Sequence, residues 1–225
     1  MPRRSDELVD SILADPPRVH PGAPDDVWST DRDAYILLAD LVGDSSRTIE
    51  TGCGVSTAVF AARGSDHTCA VLYDEEAAVF REWADAHDVP VDGIRFVAGE
   101  SQVTLPALPL EPPDVVFIDG GHVFPIPVID WFYTVHLVQP GAMVFVDDLQ
   151  LPAPRLVADY MESCAPVWEC VRRTPKWGAY RLAMVPPPES IVNPPAGSSL
   201  YGGNGRFERL GRRLDARLHR WRRGR

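Results

Sequence analysis

Three aspartates and one histidine follow apolar segments in a pattern that suits metal and proton chemistry. Asp119 ends the segment DVVFID, and Asp147 and Asp148 end AMVFVDD. The ends of neighbouring strands lie about 5 Å apart, so these carboxylates are predicted to converge. Gathered carboxylates raise each other's pKa, and Mg²⁺ or another divalent cation, which prefers oxygen ligands, relieves the repulsion. All three are therefore predicted metal ligands, although successive strand residues face opposite sides and one of the pair could point away.

His122 stands three residues after Asp119, in the sequence DGGH. Histidine ordinarily titrates near neutrality and can accept a proton from a reacting group. A cation held beside it would lower the pKa of a bound hydroxyl, whose proton the imidazole would take. His122 and Asp119 are thus the predicted catalytic residues. The alternative is a histidine that only orders its loop.

The stretch IETGCGVST forms a glycine turn between an apolar strand and a helix. Glycines at 52 and 54 allow the backbone to approach a ligand closely. A phosphate-binding loop of the type G-x-x-x-x-G-K-[ST] is excluded because the lysine is missing, and the fingerprint G-x-G-x-x-G has Thr57 in place of its third glycine. A nicotinamide-dependent oxidoreductase is therefore disfavoured. Glu50, directly before the turn, suits a cationic ammonium better than a diphosphate.

Short β-branched runs alternate with helical stretches through the middle of the chain, as in SRTIE followed by STAVFAARG. This alternation predicts βαβ units and a parallel sheet. Runs that are apolar on both faces, such as VVFI and MVFV, predict helices on both sides of that sheet. VWECVRR and GAYRLAMV predict a β-hairpin at the end. The fold class is therefore α/β, and the strand ends that carry the acids share one edge.

Several of these motifs together resemble the class I S-adenosylmethionine-dependent methyltransferases. The resemblance rests on the E-x-G-x-G turn, GCGVSTAVFA, VAGES, PPDVVFIDGGH and LVQPGAMVFVDD, and it covers about residues 30–185. Within the class, the chain is most similar to metal-dependent small-molecule O-methyltransferases of the macrocin O-methyltransferase type. This resemblance implies a Rossmann-like, seven-stranded, mostly parallel sheet with a C-terminal antiparallel hairpin. It also implies methyl transfer from S-adenosylmethionine to a hydroxyl of a sugar, polyol or phenolic compound, assisted by Mg²⁺.

The family's cofactor contacts carry over onto matching positions of this chain. The implied cofactor-binding residues are Glu50, Thr51, Gly52, Gly54, Ser56, Thr57, Glu100, Ser101 and Asp119. One departure lies at the end of the second strand, where the family has an acid for the ribose hydroxyls and this chain has Leu72. Asp74 is nearby but is the expected N-cap of the next helix. The departure keeps a second interpretation open, namely a cofactor-binding protein of this fold whose catalysis has decayed.

Composition sets further limits on the function. The 225 residues are 45% hydrophobic, enough for one sizeable core, and the net charge is −10. The acidic balance disfavours nucleic acid as a partner. Four cysteines without metal or redox spacing are expected to be free thiols in a cytoplasmic protein. No apolar run is long enough to predict a transmembrane segment or a secretory signal.

The sequence predicts four parts: an N-terminal arm over 1–30, the methyltransferase domain over 31–185, a proline- and glycine-rich linker over 186–205, and a basic helix or tail over 206–225. The last part holds nine arginines and two acids, a net charge of +7 that leaves −17 on the rest. Its apolar residues recur at helical spacing. We expect it to dock on the acidic body or on a second subunit, which makes a homo-oligomer the expected state. An anionic membrane surface and, less favoured, nucleic acid are the other candidate partners of this segment.

Overall fold

The computed structural model describes residues 4–22 and 27–184. The predicted linker and basic tail, 186–225, lie outside the described residues. Seven strands form one sheet: β1 (Arg47–Thr51), β2 (Asp66–Val71), β3 (Ile94–Ala98), β4 (Val115–Ile118), β5 (Met143–Val146), β6 (Trp168–Arg173) and β7 (Gly178–Leu182). Their order is β3-β2-β1-β4-β5-β7-β6. The first five strands are parallel, and β7 is antiparallel to both β5 and β6. The predicted sheet with its C-terminal hairpin is confirmed.

Helices cover both faces of this sheet. They are α1 (Ser5–Ala14), α2 (Arg32–Leu41), α3 (Val55–Ala62), α4 (Asp74–Ala86), the short α5 (Ser101–Thr104), α6 (Ile126–Val135) and α7 (Pro152–Ser163), with a 3-10 turn at Leu105–Ala107. Side-chain alternation divides β4 and β5 between two apolar clusters. Phe117 and Phe145 pack with α1 to α4, whereas Val116 and Val144 pack with α7. Among the described residues no helix is both long enough and apolar enough to cross a membrane.

Helix α1 adds a layer that the polar N-terminal sequence does not predict. Leu8, Val9 and Ile12 recur at helical spacing and are buried. They belong to the same apolar cluster as α2 and α3, which α1 contacts. Helix α1 is therefore part of the core that supports the glycine turn.

The site lies where the strand order reverses. Strand β1 pairs with β2 on one side and with β4 on the other, and Thr51 lies opposite Ile118. Ligands in open α/β sheets bind outside the carboxyl ends of the strands at such a switch point. The turn at Gly52 meets the backbone of Asp119 there. Gly52 has φ +94°, and a Cβ at this position would lie 2.4 Å from the Asp119 carbonyl oxygen, so only glycine fits.

Candidate active site

A cavity of about 680 Å³ opens at the carboxyl ends of the parallel strands. Its walls come from the loops after β1 to β5, from the segment 27–29 near the N-terminus, and from Lys176 in the β6–β7 turn. The volume is within the range of small-molecule sites. A cavity large enough for a small molecule therefore lies at the edge where the sequence places the acids.

Asp119, His122 and Asp148 gather at this edge. Each offers one ligand atom, and the three atoms lie within 4.8 Å of one another. His122 Nε2 is 3.1 Å from Asp148 Oδ2 and 3.6 Å from Asp119 Oδ1. No described residue makes an aligned hydrogen bond to this buried nitrogen. Two carboxylates around an unsatisfied imidazole nitrogen are a donor set that fits a divalent cation.

The backbone at the end of β5 explains how Asp148 reaches the cluster. Asp148 has φ +54°, in the left-handed region that aspartate tolerates better than most residues. Gln150 Nε2 donates to Asp148 Oδ1 at 2.6 Å, which leaves Oδ2 for His122. This turn breaks the strand alternation and separates Asp148 from its neighbour.

Asp147 lies outside the cluster of Asp119, His122 and Asp148, and its role as a third metal ligand stays a prediction. Its Oδ1 accepts a hydrogen bond of 2.6 Å from Thr30 Oγ1, and the residue is buried. It still lines the cavity. The structure thus places His122, rather than Asp147, beside Asp119 and Asp148.

Because several acidic side chains lie close together and are buried, the pKa values of Asp119, His122 and Asp147 are raised. Desolvation raises the pKa of Asp119 to about 6, although His122 partly offsets this. Desolvation, reinforced by the Asp119 charge, raises the pKa of Asp147 to about 7. The contact with Asp119, followed by the charge of Asp148, raises the pKa of His122. A divalent cation and the imidazole proton would therefore compete for the same carboxylate oxygens.

The glycine turn contributes backbone to the cavity, but its acid lies elsewhere. Thr51 and Gly52 line the cavity. Glu50 is 1% exposed, because strand alternation directs its side chain beneath the turn, toward α3. The expected contact of this carboxylate with the cofactor ammonium is therefore replaced by contacts inside the protein.

Ser56 and Thr57 also lie beneath the turn. Ser56 Oγ donates to Glu50 Oε2 at 2.7 Å, and Thr57 Oγ1 donates to Glu50 Oε1. The Gly54 amide donates to Thr57 Oγ1 at 2.9 Å. None of these four residues is among those that line the cavity. They hold the turn and the start of α3 in place from below.

The loop after β3 and the end of β2 form the opposite wall. Glu100 and Ser101 line the cavity as predicted, together with Leu72 and Glu76. Glu76 Oε2 accepts hydrogen bonds from the amides of Leu72 at 3.0 Å and Tyr73 at 3.4 Å. A capping-box acid three residues into a helix is the sequence signal that could have identified Glu76.

The cap of α4 differs from the prediction. Tyr73 is the N-cap residue, and Asp74 is the first residue of the helix. The Glu76 carboxylate accepts hydrogen bonds from the amides of Leu72 and Tyr73, at and before the cap.

Two further features of the cavity have only weak sequence signals. Asp130 stands in an apolar helix, is 1% exposed, and has no aligned hydrogen-bond partner within the described ranges. Burial raises its pKa, and the hydroxyls of Ser101 and Thr51 partly offset that shift.

The second feature is a strap, residues 27–30, of which 27–29 line the cavity. Lys176 Nζ donates to the Ser29 carbonyl oxygen at 2.5 Å. Trp28 lines the cavity, is 60% exposed, and stacks on His20 with ring centroids 5.3 Å apart. Lys176 is the only lysine of the sequence, but its partner lies 147 residues away, so no local pattern reveals the contact.

Comparison with known proteins finds a family match over part of the chain and solved structures of similar fold. Residues 49–149 match the family described as "Methyltransferase domain". No curated protein matches the chain. Similar solved structures include cofactor-bound Rv0187 from MTB, with 20% identity, a TM-score of 0.61, and coverage of 80% of this chain and 91% of that one.

Two other solved structures are similar in fold. A candidate O-methyltransferase from Klebsiella pneumoniae has 18% identity, a TM-score of 0.62 and coverage of 78% of this chain and 90% of that one. The O-methyltransferase TomG from Streptomyces achromogenes, solved with SAM, has 17% identity, a TM-score of 0.61 and coverage of 79% and 90%. At these identities the likeness shows the fold. The family match over residues 49–149 includes the glycine turn and both acidic strand ends.

Proposed function

We propose that the protein transfers a methyl group from S-adenosylmethionine to a hydroxyl of a small molecule, with a divalent cation such as Mg²⁺ held by Asp119 and Asp148, with Asp147 as the predicted third ligand, and with His122 as the base. The observation that carries this proposal is that the acid–histidine cluster and the glycine turn line the same cavity. The SAM complex of TomG and its description as an O-methyltransferase support the choice of donor and acceptor.

The donor would lie along the edge of the sheet. Thr51 and Gly52 would seat its methionine end with backbone groups, while Glu100 and Ser101 would face its adenine. Glu76 lines the cavity and contacts the amide of Leu72, the position where the family carries a ribose ligand, and we assign it the ribose hydroxyls. With this assignment the ribose contact is kept, although Leu72 stands where the family has an acid.

Bound S-adenosylmethionine supplies an electrophilic methyl group, and a bound cation supplies positive charge that lowers the pKa of an acceptor hydroxyl. His122 faces the cavity with an unsatisfied Nε2 and receives the hydroxyl proton as the oxygen–methyl bond forms. The products are the methyl ether, the thioether form of the donor and one proton. Asp119 and Asp148 keep the imidazole oriented toward the acceptor.

The surroundings of His122 favour an acceptor with an apolar ring. Val123 and Phe124, which follow it directly, are 77% and 66% exposed, and Trp28 presents its ring to the cavity. Such side chains bind aromatic rings better than they bind polyols. Among the expected acceptor classes we therefore favour phenolic compounds.

Cellular location and assembly are part of the same proposal. We assign the protein to the cytoplasm, supported by four free cysteines, of which three are buried. We also propose a homo-oligomer, for which the basic segment 206–225 remains the expected contact.

The proposal is tested by calorimetry with S-adenosylhomocysteine, followed by transfer of labelled methyl groups to a panel of catechols and polyols with and without Mg²⁺. His122→Ala should lower kcat by about 10²–10⁴-fold with little change in donor affinity. His136→Ala removes an exposed histidine outside the cavity and should change neither value. Absence of saturable donor binding by the wild-type protein would refute the proposed function.

A further inference from the structure

A row of buried polar side chains runs beneath the glycine turn, outside the cavity. Ser65 Oγ lies 3.1 Å from Thr48 Oγ1, which lies 2.7 Å from His67 Nδ1. On the other side of the ring, His67 Nε2 lies 3.0 Å from Glu50 Oε1. Each of these four residues is at most 1% exposed. Buried polar groups are costly unless every donor and acceptor is matched, so the positions of the protons can be assigned from the network.

The assignment starts at Ser65, whose hydroxyl donates to the Phe60 carbonyl oxygen at 3.1 Å. Since that uses its only proton, Thr48 must donate to Ser65, and His67 Nδ1 must donate to Thr48. Nδ1 therefore carries a proton. A second proton must lie between Nε2 and Glu50 Oε1, because two bare acceptors 3.0 Å apart would repel. Whether this proton is on the ring or on the carboxyl, the pair has no net charge.

We propose that His67 is a positioning residue for the glycine turn, acting through Glu50, with which it shares a proton in a buried pair of zero net charge. Only the expected effect on S-adenosylhomocysteine affinity rests on the proposed function. The position of Glu50 affects the turn because Glu50 accepts hydrogen bonds from Ser56 and Thr57. Thr57 in turn accepts a hydrogen bond from the Gly54 amide.

Packing holds the His67 ring in the orientation that contacts Thr48 and Glu50. Phe60 stacks on His67 with ring centroids 4.5 Å apart and planes 24° apart. Cys69, on the same strand, donates to the Gly52 carbonyl oxygen at 3.1 Å and so joins the turn to β2 directly. The ring therefore has one orientation, and loss of its Nε2 contact would leave a buried carboxyl without its proton partner.

The test compares four variants with the wild-type protein. His67→Phe keeps the stacking and removes both nitrogens, whereas His67→Gln restores a donor near the position of Nε2. The other two are Glu50→Gln and the double variant that combines His67→Phe with Glu50→Gln. Phe80→Leu is the control, since it opens the core at α4 without touching the row. The readouts are the Kd for S-adenosylhomocysteine and the hydrogen exchange of the Gly54 amide without cofactor. Nitrogen NMR of His67 reports the proton on Nδ1.

His67→Phe should weaken binding and accelerate Gly54 exchange, each by about tenfold, and His67→Gln should recover most of both. In the Glu50→Gln background the His67→Phe change should add less than about twofold, because the two residues act as a unit. Phe80→Leu should leave both readouts near wild type.

Three results would overturn the inference: an Nδ1 without a proton, a His67→Phe effect that is equally large in the Glu50→Gln background, or equal effects from Phe80→Leu. If the wild-type protein binds no S-adenosylhomocysteine, the proposed function fails, while Gly54 exchange and the NMR measurement still decide the role of His67.

Discussion

Replacement of Gly52 by alanine tests whether the site depends on close approach between the β1 turn and the end of β4. The added Cβ would lie 2.4 Å from the Asp119 carbonyl oxygen and 3.0 Å from its carbonyl carbon. The first distance is about 1.1 Å shorter than the ~3.5 Å at which non-bonded heavy atoms pack well. Both atoms belong to backbone, so no side chain can rotate to make room.

Two costs therefore add in Gly52→Ala. The φ of +94° costs an L-residue about 1 kcal/mol, and the forced movement of backbone costs about 1–3 kcal/mol more. We expect the free energy of unfolding to fall by roughly 2–4 kcal/mol. Donor affinity should fall by more than about tenfold, since the displaced atoms line the cavity.

Gly141→Ala is the matched control. Gly141 has φ +100°, yet a Cβ there would meet no atom within 4 Å, so the variant carries only the conformational cost. Urea denaturation of both variants and calorimetry with S-adenosylhomocysteine separate the two contributions. The reasoning is refuted if Gly52→Ala is no less stable than Gly141→Ala and binds the donor as the wild type does.

Three further predictions follow from the cavity. The raised pKa of Asp147, about 7 in the folded protein, means that stability is full below about pH 4 and declines as pH rises through 7. The free energy of unfolding of Asp147→Asn, relative to that of the wild type, should therefore rise by on the order of 2 kcal/mol between about pH 5 and about pH 8. Urea titrations with chelator at each pH measure this difference. A difference that does not change with pH would contradict the prediction. Lys176→Met removes the contact with Ser29 and should raise the KM for the donor by about three- to tenfold with little change in kcat, whereas an unchanged KM would show that the strap is held without it. Glu76→Gln should weaken donor binding by about tenfold in calorimetry, and equal affinities would remove Glu76 from the ribose site.

The order of strands and helices could be predicted because it depends on local patterns. Apolar runs of four to six residues bounded by turns form β4 and β5, and helical periodicity forms α4 and α7. The chemistry at the strand ends followed from the same patterns, since Asp119 directly follows β4, Asp148 stands two residues after β5, and these buried strands pair in parallel. Helix α1 escaped prediction because its short apolar stripe lies among polar residues and is stabilised by packing.

The contacts of particular side chains could not be predicted in this way. Asp147 and Asp148 are identical in type and adjacent in sequence, but one accepts a hydrogen bond from Thr30 while the other adopts φ +54° and reaches His122. Glu50 matches the motif of a cofactor ligand, but it faces inward because the strand presents that side to α3 and His67.

By itself, the sequence determined the α/β architecture, the glycine turn and the edge at which the acids gather, because each depends on residues close together in the chain. Only the tertiary structure decided which acid faces the cavity, which acid lies beneath the turn, and which distant residues hold them. Thr30 and Asp147 are 117 residues apart, and Ser29 and Lys176 are 147 apart. Contacts over such separations form only when the sheet and its helices have packed, so no local pattern records them.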